Sequence, residues 1–201
     1  NGKGQMQYGQ QHIGGKWYLF DKNTGAMKTG FQWISDQHKT CYYNGKGQMQ
    51  YGQQHIGGKW YLFDKNTGAM KTGFQWISDQ HKTCYYNGKG QMQYGQQHIG
   101  GKWYLFDKNT GAMKTGFQWI SDQRKTCYYN GKGQMQYGQQ HIGGKWYLFD
   151  KNTGAMKTGF QWISNQRKTC YYNGKGQMLY GRQYINGRWY TFNRWTGALM
   201  N

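Results

Sequence analysis

The sequence repeats with a period of 43 residues, and this feature limits the possible folds more than any other. NGKGQMQYG starts at residues 1, 44, 87 and 130, and NGKGQMLYG starts at residue 173. A strict period of this length is typical of repeat proteins, in which each unit packs on its neighbours. We therefore predict one repeat domain over residues 1–201. Its units are 1–43, 44–86, 87–129, 130–172 and a partial unit at 173–201.

Each unit contains two related halves, which we call the A and B subrepeats. Residues 9–29 read GQQHIGGKWYLFDKNTGAMKT, and residues 30–51 read GFQWISDQHKTCYYNGKGQMQY. Both halves carry Gly-x-Gln-x-Ile, then a Lys, an aromatic run, a glycine-rich turn and a Met. The A subrepeat starts at 9, 52, 95, 138 and 181, and the B subrepeat starts at 30, 73, 116 and 159.

The local sequence of both subrepeats predicts β-hairpins. KWYLF and TCYY are rich in residues that favour strands, and neither subrepeat shows helical periodicity. In A, DKNTG is expected to form a turn and AMKT a short return strand; in B, NGKG and QMQY are expected to play the same parts. A lone two-stranded hairpin is only marginally stable in water, so each must stack on its neighbours. The predicted fold class is all-β, a repetitive β-hairpin solenoid that forms an elongated superhelix of stacked hairpins.

Aromatic and methionine side chains must supply much of the core, because other apolar residues are scarce. The chain has 10 Trp, 19 Tyr, 9 Phe and 10 Met, but it has no Val. Each buried aromatic side chain removes roughly 150–250 Å² from water, which makes an ordered chain possible. Beyond the aromatic residues, we predict that Ile13, Leu19, Ile34, Met27 and Met6 belong to the core.

The tryptophans could belong either to this core or to a binding groove. Because side chains alternate along a strand, Trp17 and Leu19 share one face of KWYLF, and Tyr18 and Phe20 share the other. One face is expected to pack inward and the other to face a groove between hairpins. The sequence alone leaves the assignment of the two faces open, although it favours the groove for Trp33.

The charge of the chain is strongly positive, with 26 Lys and Arg against 7 Asp and Glu. Lysines recur at fixed positions in every full repeat, so the surface would attract polyanions such as nucleic acid, anionic membrane or phosphate-bearing wall polymer. The alternative is that the lysines only keep an aromatic-rich repeat soluble. No stretch approaches the roughly 18 apolar residues of a membrane span, and Asn1 does not begin a signal peptide.

The four cysteines are predicted to be buried thiols rather than disulfides. Cys41, Cys84, Cys127 and Cys170 occupy one equivalent position, two hairpins apart. If successive hairpins rotate, equivalent Cα atoms lie beyond the roughly 7 Å limit for a disulfide. Cys41 aligns with Tyr18 of the A subrepeat, and a small apolar side chain there would fill the interior.

Neither a metal site nor a catalytic group is predicted. His12 and its copies recur once per 43 residues without a neighbouring His or Cys, so they are expected at the surface or along a groove. The last A subrepeat carries Tyr184 at this position, and a His–Tyr exchange suits a hydrogen-bonding or stacking role. Asp21, Ser35 and Asp36 recur without a paired carboxylate or a partnered base. We therefore expect no enzyme activity, no metal and no cofactor.

GKWYLFDKNTGAMKTGFQ resembles the cell-wall-binding repeats of Gram-positive surface proteins, a family that includes choline-binding and glucan-binding repeats. The resemblance covers nine consecutive subrepeats, or essentially the whole chain. It implies a non-catalytic module, secreted or attached to the cell surface, that binds wall polymers. Tandem sites on a polymer would raise avidity without new contacts.

In the choline-binding branch, the resemblance implies a cage that holds quaternary ammonium by cation–π attraction. Two aromatic residues of one hairpin, at its Gly-Trp and Lys-Trp positions, meet an aromatic residue of the next hairpin. Here A has Gln10 at the first position and Trp17 at the second, whereas B has Phe31 at the first and Thr40 at the second. No subrepeat holds both cage residues, so choline-substituted teichoic acid is the runner-up ligand.

The glucan-binding branch matches the sequence better. The resemblance implies sugar pockets built from a Gln, a Lys and an aromatic residue. Gln11 and Lys16 take the first two places in A, and Gln32 and Lys39 take them in B. An aromatic face would stack on a pyranose ring while the polar groups bond its hydroxyls. Glucan, wall polysaccharide or teichoic acid is therefore the first predicted partner class.

The predicted ligand-binding residues are these positions, their aromatic neighbours and the copies of both along the chain. They are Gln11, Lys16, Trp17, Tyr18, Phe31, Gln32, Trp33, Lys39, Tyr42, Gln54, Lys59, Trp60, Tyr61, Phe74, Gln75, Trp76, Lys82, Tyr85, Gln97, Lys102, Trp103, Tyr104, Phe117, Gln118, Trp119, Lys125, Tyr128, Gln140, Lys145, Trp146, Tyr147, Phe160, Gln161, Trp162, Lys168, Tyr171, Gln183, Arg188, Trp189 and Tyr190.

Two other classes of function fit parts of the pattern. Aromatic stacking along a basic groove would also suit single-stranded nucleic acid, and such binding would depend steeply on salt without competition by sugar. Near-identical repeats could also form a structural spacer, which would have no saturable ligand.

Overall fold

The computed structural model describes residues 4–201, which form short strands and 3-10 turns. In chain order, the strands are β1 (Gly9–Ile13), β2 (Lys16–Phe20), β3 (Gly30–Ile34), β4 (Lys39–Tyr43), β5 (Gly52–Ile56), β6 (Lys59–Phe63), β7 (Gly73–Ile77), β8 (Lys82–Tyr86), β9 (Gly95–Ile99), β10 (Lys102–Phe106), β11 (Gly116–Ile120), β12 (Lys125–Tyr129), β13 (Gly138–Ile142), β14 (Lys145–Phe149), β15 (Gly159–Ile163), β16 (Lys168–Tyr172), β17 (Gly181–Ile185) and β18 (Arg188–Phe192). The 3-10 turns of these residues are Ser35–Gln37, Ser78–Gln80, Ser121–Gln123 and Ser164–Gln166. The all-β hairpin repeat predicted from the sequence is confirmed.

Consecutive strands pair into antiparallel two-stranded sheets, one for each subrepeat. In the first A hairpin, Gly14 and Gly15 join the strands with φ values of 55° and 74°. Two positive φ values in a two-residue loop are those of a type I′ turn, whose twist matches that of the flanking strands. The B hairpins use a longer connection, in which Ser35–Gln37 form a 3-10 turn and His38 then adopts a φ of 48°.

The prediction that a return strand follows each glycine-rich turn is wrong. KWYLF pairs with the GQQHI segment before it, and AMKT contributes only one bridge, between Phe20 and Met27. QMQY, which reads QMLY in the fourth B subrepeat, likewise contributes only one bridge in each B subrepeat. The turn itself is compact because the Asp21 carboxylate accepts hydrogen bonds from the backbone N–H groups of Asn23 and Thr24, both at 3.0 Å.

The return segments instead tie each hairpin to the one before it. The backbone N–H of Met49 donates to the Trp17 carbonyl at 2.8 Å, which joins a B subrepeat to the preceding A subrepeat. The backbone N–H of Met70 donates to the Thr40 carbonyl at 2.7 Å, which joins the next A subrepeat to that B subrepeat. Backbone groups that a longer hairpin would pair internally therefore hold successive hairpins together.

Contacts within the chain divide it into two compact units. One unit comprises Asn1–Gly95 with Phe106–Met113, and the other comprises Gln96–Leu105 with Lys114–Asn201. Both units are built from the same hairpins, and both contain the buried clusters described next.

Small clusters of buried side chains form the core, and an equivalent cluster recurs in each 43-residue repeat. Ile34, Cys41, Tyr43 and Met49 make up the first cluster, and Leu19 packs against it. Cys41 and its copies are fully buried free thiols, and burial raises the pKa of the Cys41 thiol. The prediction of a small buried filler without disulfides is confirmed.

The exposure of the A strands identifies the inner face, which the sequence left open. In the second repeat, Tyr61 is 8% exposed and Phe63 is 1% exposed, whereas Trp60 is 38% exposed. The inner face is therefore the one that carries Tyr18, Phe20 and their copies. The opposite face is divided, because Leu19 packs on the core cluster of the next hairpin whereas Trp17 borders the space between hairpins.

Three of the five residues assigned to the core beyond the aromatic residues were assigned wrongly. Ile34 is buried and Leu19 packs on the core, but Ile13, Met27 and Met6 are exposed. All three belong to the start of the chain, where no hairpin of the described residues precedes the first A hairpin. A residue whose burial depends on the preceding hairpin is therefore uncovered there.

Two chemically different interfaces alternate between successive hairpins. Where B follows A, Gln10 Nε2 donates a hydrogen bond to the Tyr43 hydroxyl at 2.7 Å. Where A follows B, Phe31 stands in the place of Gln10, and its ring centroid lies 4.9 Å from that of Tyr61 and 6.3 Å from that of Phe63. Burial raises the pKa of Tyr43 to about 12, so its hydroxyl stays protonated and polar inside the first kind of interface.

We expect Tyr86→Phe to lower the free energy of unfolding by about 0.5–1.5 kcal/mol. The change removes the hydrogen bond that Gln53 Nε2 donates to the Tyr86 hydroxyl at 2.8 Å. Chemical denaturation followed by circular dichroism measures the loss. Gln53→Met completes a double-mutant cycle, and in its background Tyr86→Phe should cost much less. An equal cost in both backgrounds would show that the hydrogen bond contributes nothing.

Candidate functional site

A groove opens between the A hairpin and the following B hairpin, and we call it the A/B groove. Its cavity volume is about 730 Å³ in the first repeat and about 540 Å³ in the second. Trp17 and Trp33 line the first groove, and Trp60 and Trp76 line the second. In the later repeats the corresponding tryptophans are Trp103, Trp119, Trp146 and Trp162.

Hairpin packing fixes the base of the first A/B groove. Ile34 and Met49 supply buried apolar surface there. Gln10 adds an amide that is held at both ends, since its Nε2 donates to Tyr43 and its Oε1 accepts from Gln37 Nε2 at 2.8 Å. The base is therefore rigid before any ligand arrives, which favours binding.

Both tryptophans of the groove keep much of their surface accessible and lie beside a histidine. Trp33 is 60% exposed, and its ring meets that of His38 edge-on with centroids 6.3 Å apart. The ring centroid of Trp17 lies 5.1 Å from that of His12, on the paired strand of the same hairpin. His12 is exposed beside this groove residue, as predicted for a surface or groove-lining histidine. Among residues 4–201, no three His, Cys, Asp or Glu side chains are grouped as a metal site requires.

Tyrosine replaces this histidine in the last A hairpin without a change of arrangement. The Tyr184 ring lies 5.2 Å from that of Trp189, almost the same separation as in the histidine pairs. The position therefore keeps a ring contact with the tryptophan in both cases, although the rings are tilted, by 37° for His12 and by 52° for Tyr184, rather than stacked.

The rim of the groove carries charges of both signs. Asp21 Oδ2 lies 2.8 Å from Lys28 Nζ, and both residues line the first groove together with Asp36, Lys22 and Lys39. The ammonium group of Lys28, followed by the backbone N–H groups of the turn, holds the pKa of the Asp21 carboxyl well below its usual range. The same pair recurs at 2.9 Å in two later A subrepeats.

The glutamines and several lysines predicted to bind ligand make contacts within the protein. Gln11 Nε2 donates to the Tyr8 carbonyl at 2.7 Å, and Gln32 Nε2 donates to the Thr29 carbonyl at 2.6 Å. These bonds brace the chain where each hairpin begins. Lys39 Nζ donates to the carbonyl of Thr67 at 2.7 Å, whereas Lys16 is exposed.

The equivalent contacts recur along the chain. Among the predicted residues, glutamine–carbonyl bonds are made by Gln54, Gln75, Gln118, Gln140, Gln161 and Gln183. Lysine–carbonyl bonds are made by Lys82, Lys125 and Lys168. Gln32 and Lys39 nevertheless line the first A/B groove, so they lie within reach of a ligand.

The predicted aromatic residues separate into two groups. Trp17 and Trp33 come together in the A/B groove, whereas Phe31 and Tyr42 lie at the other kind of interface. There the Phe31 centroid lies 4.9 Å from that of Tyr42 and 4.9 Å from that of Tyr61. Phe31 thus packs against rings of both its own hairpin and the next one.

The sequence analysis missed the role of Gln10 in the groove. It considered Gln10 only as the residue that replaces an aromatic side chain of the choline cage. A signal for its role exists in the pairing of residue types. Gln10 precedes a hairpin that carries Tyr43, whereas Phe31 precedes a hairpin that carries Phe63 at the equivalent position. The amide and the hydroxyl occur together, and the two phenyl rings occur together.

We expect the stability of the protein to fall as the pH drops below about 4, because the Asp21 class of carboxyl groups has a lower pKa folded than unfolded. The stabilisation is present above the unfolded pKa and is lost as the pH falls towards the folded value. Denaturant midpoints measured from pH 7 to pH 2 test this expectation.

Asp→Asn at positions 21, 64, 107 and 150 is the matched control. The chain already carries Asn193 at the fifth copy, where its Oδ1 accepts the same two backbone hydrogen bonds at 2.9 Å. The fourfold variant should therefore fold and lose less stability in acid than the parent. Identical acid profiles for parent and variant would contradict the assignment.

Comparison with known families places the chain clearly. The family model described as "Choline-binding repeat" matches residues 28–73, 71–115 and 114–159, and the one described as "Putative cell wall binding repeat" matches residues 11–27. No curated protein sequence matches the chain significantly. The helical segments of residues 4–201 are single turns, and none is long and apolar enough to cross a membrane.

Three solved structures with a similar fold come from Streptococcus pneumoniae. Choline binding protein F, crystallised in the presence of a peptidoglycan analogue, is 25% identical with a TM-score of 0.81, over 98% of this chain and 72% of that chain. CbpJ is 24% identical with a TM-score of 0.71, over 96% of this chain and 87% of that chain. The choline-binding domain of CbpL is 20% identical with a TM-score of 0.67, over 97% and 98% of the two chains. Since the repeat model spans more than half of the sequence, the chain belongs to the choline-binding repeat family.

Proposed function

We propose that the chain is a non-catalytic, multivalent cell-wall-binding module whose A/B grooves take the choline groups of a wall polymer. The observation that carries this proposal is the pair of accessible tryptophans in each groove, such as Trp17 and Trp33. Indole faces attract quaternary ammonium by cation–π interaction, by about 0.5–2 kcal/mol according to how far the cation is desolvated. Asp36 adds a carboxylate on the rim of the first groove, which offsets part of the positive charge of Lys22 and Lys39.

The sequence analysis placed glucan first and choline second, and family membership favours the opposite order. The matching repeat is the choline-binding one, and a similar solved protein is named for choline binding. The hydroxyl-binding donors assigned to glucan are also partly engaged, since Gln32 Nε2 and Lys39 Nζ donate to backbone carbonyls. Choline on teichoic acid therefore becomes the first ligand in this proposal.

A polysaccharide is the second candidate, supported by the openness of Trp33. An indole that is 60% exposed beside a cavity of about 730 Å³ has room to stack on a pyranose ring. Single-stranded nucleic acid and a ligand-free spacer remain rivals that the same binding measurements separate.

Multivalency and charge both suit a surface polymer. Each groove is small and open, so single sites would bind weakly, whereas several sites on one chain would raise avidity. The net charge of +19 would add a salt-dependent attraction to polymer phosphates. The proposed location is the outer surface of a Gram-positive cell, reached by secretion.

We expect choline to saturate the protein and change its tryptophan fluorescence, with little dependence on salt. Alanine at Trp33, Trp76, Trp119 and Trp162 together should weaken choline binding at least tenfold while leaving the melting temperature nearly unchanged, because these side chains are largely exposed. Titration in low and high salt against choline, dextran, teichoic acid and single-stranded DNA measures the preference.

Phenylalanine at Tyr42, Tyr85, Tyr128 and Tyr171 is the matched control, since it removes hydroxyls on the B hairpins and keeps every groove tryptophan. This variant should bind choline like the parent. Saturation by dextran alone would favour the polysaccharide function, and steeply salt-dependent binding of DNA alone would favour nucleic acid. No saturable ligand at all would leave only the spacer.

A further inference from the structure

The last A hairpin already holds a cation against its tryptophan. Arg182 takes the place that Gln10 has in the first hairpin, and its guanidinium carbon lies 4.4 Å from the Trp189 ring centroid. Arg182 faces Thr191 across the ladder, and Trp189 faces Tyr184. Arg182 and Trp189 are therefore diagonal neighbours on one face, a separation that a long side chain spans.

In the other A hairpins, the residue at this position points its amide to the next hairpin instead. Gln53 Nε2 donates to the Tyr86 hydroxyl at 2.8 Å, and Gln53 Oε1 accepts from Gln80 Nε2 at 2.8 Å. Equivalent bonds to a tyrosine and a glutamine hold the amide of Gln96 in the third repeat and the amide of Gln139 in the fourth. The neutral amide brings no charge to the indole of Trp60.

The other kind of interface leaves no equivalent place for a cation. The Phe31 ring sits 4.9 Å from both Tyr42 and Tyr61, which is ordinary ring-packing distance. A trimethylammonium group could enter between these rings only by displacing Phe31. The copy at Phe117 packs in the same way against Tyr128 and Tyr147.

We propose that the residue at the Gln10 position decides whether the tryptophan diagonal to it accepts an external cation. Arg182 occupies the face of Trp189 with a cation of the chain itself, and the four glutamines leave the tryptophans of the four A/B grooves open. The open sites are those of Trp17, Trp60, Trp103 and Trp146, one in each 43-residue repeat. This inference rests on the proposed choline-binding function, and it adds the number of sites and the residue that controls each one.

Calorimetric titration of the full chain with choline tests the inference. The parent should bind about four choline molecules. Arginine at Gln10, Gln53, Gln96 and Gln139 should abolish binding, because each guanidinium would cover its own tryptophan as Arg182 does. Methionine at the same four positions removes the same hydrogen bonds without adding charge, so this matched variant should keep about four sites, each with a weaker affinity because the groove base is less rigid. Circular dichroism establishes that both variants are folded.

A single change keeps the test decisive if either fourfold variant fails to fold. Gln53→Arg should reduce the number of sites from about four to about three, and Gln53→Met should leave it at about four. If the parent does not saturate with choline, the proposed function itself is wrong. If the parent saturates but the arginine variants keep every site, or if methionine and arginine reduce binding equally, the proposed function stands and the control by this position is wrong.

Discussion

Every described hairpin after the first depends on the backbone hydrogen bond between its return segment and the preceding hairpin. A sheet of two five-residue strands has too little buried surface to be stable alone. The bond from Met49 N–H to the Trp17 carbonyl holds the methionine beside the preceding A hairpin. There it joins the cluster of Cys41 and Tyr43 from its own subrepeat, against which Leu19 of the A hairpin packs. The core thus forms between successive hairpins, and the same contact places the two hairpins that line each groove side by side.

The two kinds of interface that alternate along the chain have different roles. The interface that pairs Gln10 with Tyr43 satisfies a buried hydroxyl and leaves the tryptophan face open to the groove. The interface built on Phe31 packs this ring against both Tyr42 and Tyr61 and uses its aromatic surface for packing. The residue at this one position, glutamine in A and phenylalanine in B, therefore decides whether the aromatic surface packs between hairpins or stays accessible to a ligand.

The sequence predicted the features that local chemistry controls. The 43-residue period, the strand segments, the buried Cys41 and the absence of helical periodicity all follow from residue types and their spacing. The pairing of KWYLF was missed, because GQQHI has few strand-favouring residues and its partnership depends on the Gly14–Gly15 turn. The inner face could not be chosen either, since both faces of KWYLF are aromatic and only the position of the next hairpin separates them.

The pairing of Gln10 with Tyr43, and of Phe31 with Phe63, also sets how such an array changes length. Joining two A hairpins directly would place a glutamine amide against a phenyl ring, with no hydroxyl to bond it. Joining two B hairpins would set a phenyl ring against a buried tyrosine hydroxyl and a small cysteine, which leaves the hydroxyl unpaired and a void beside the thiol. Gain or loss of a whole 43-residue repeat preserves every junction. The number of hairpins can therefore change by whole repeats without a mismatched junction, whereas a half-repeat step creates one.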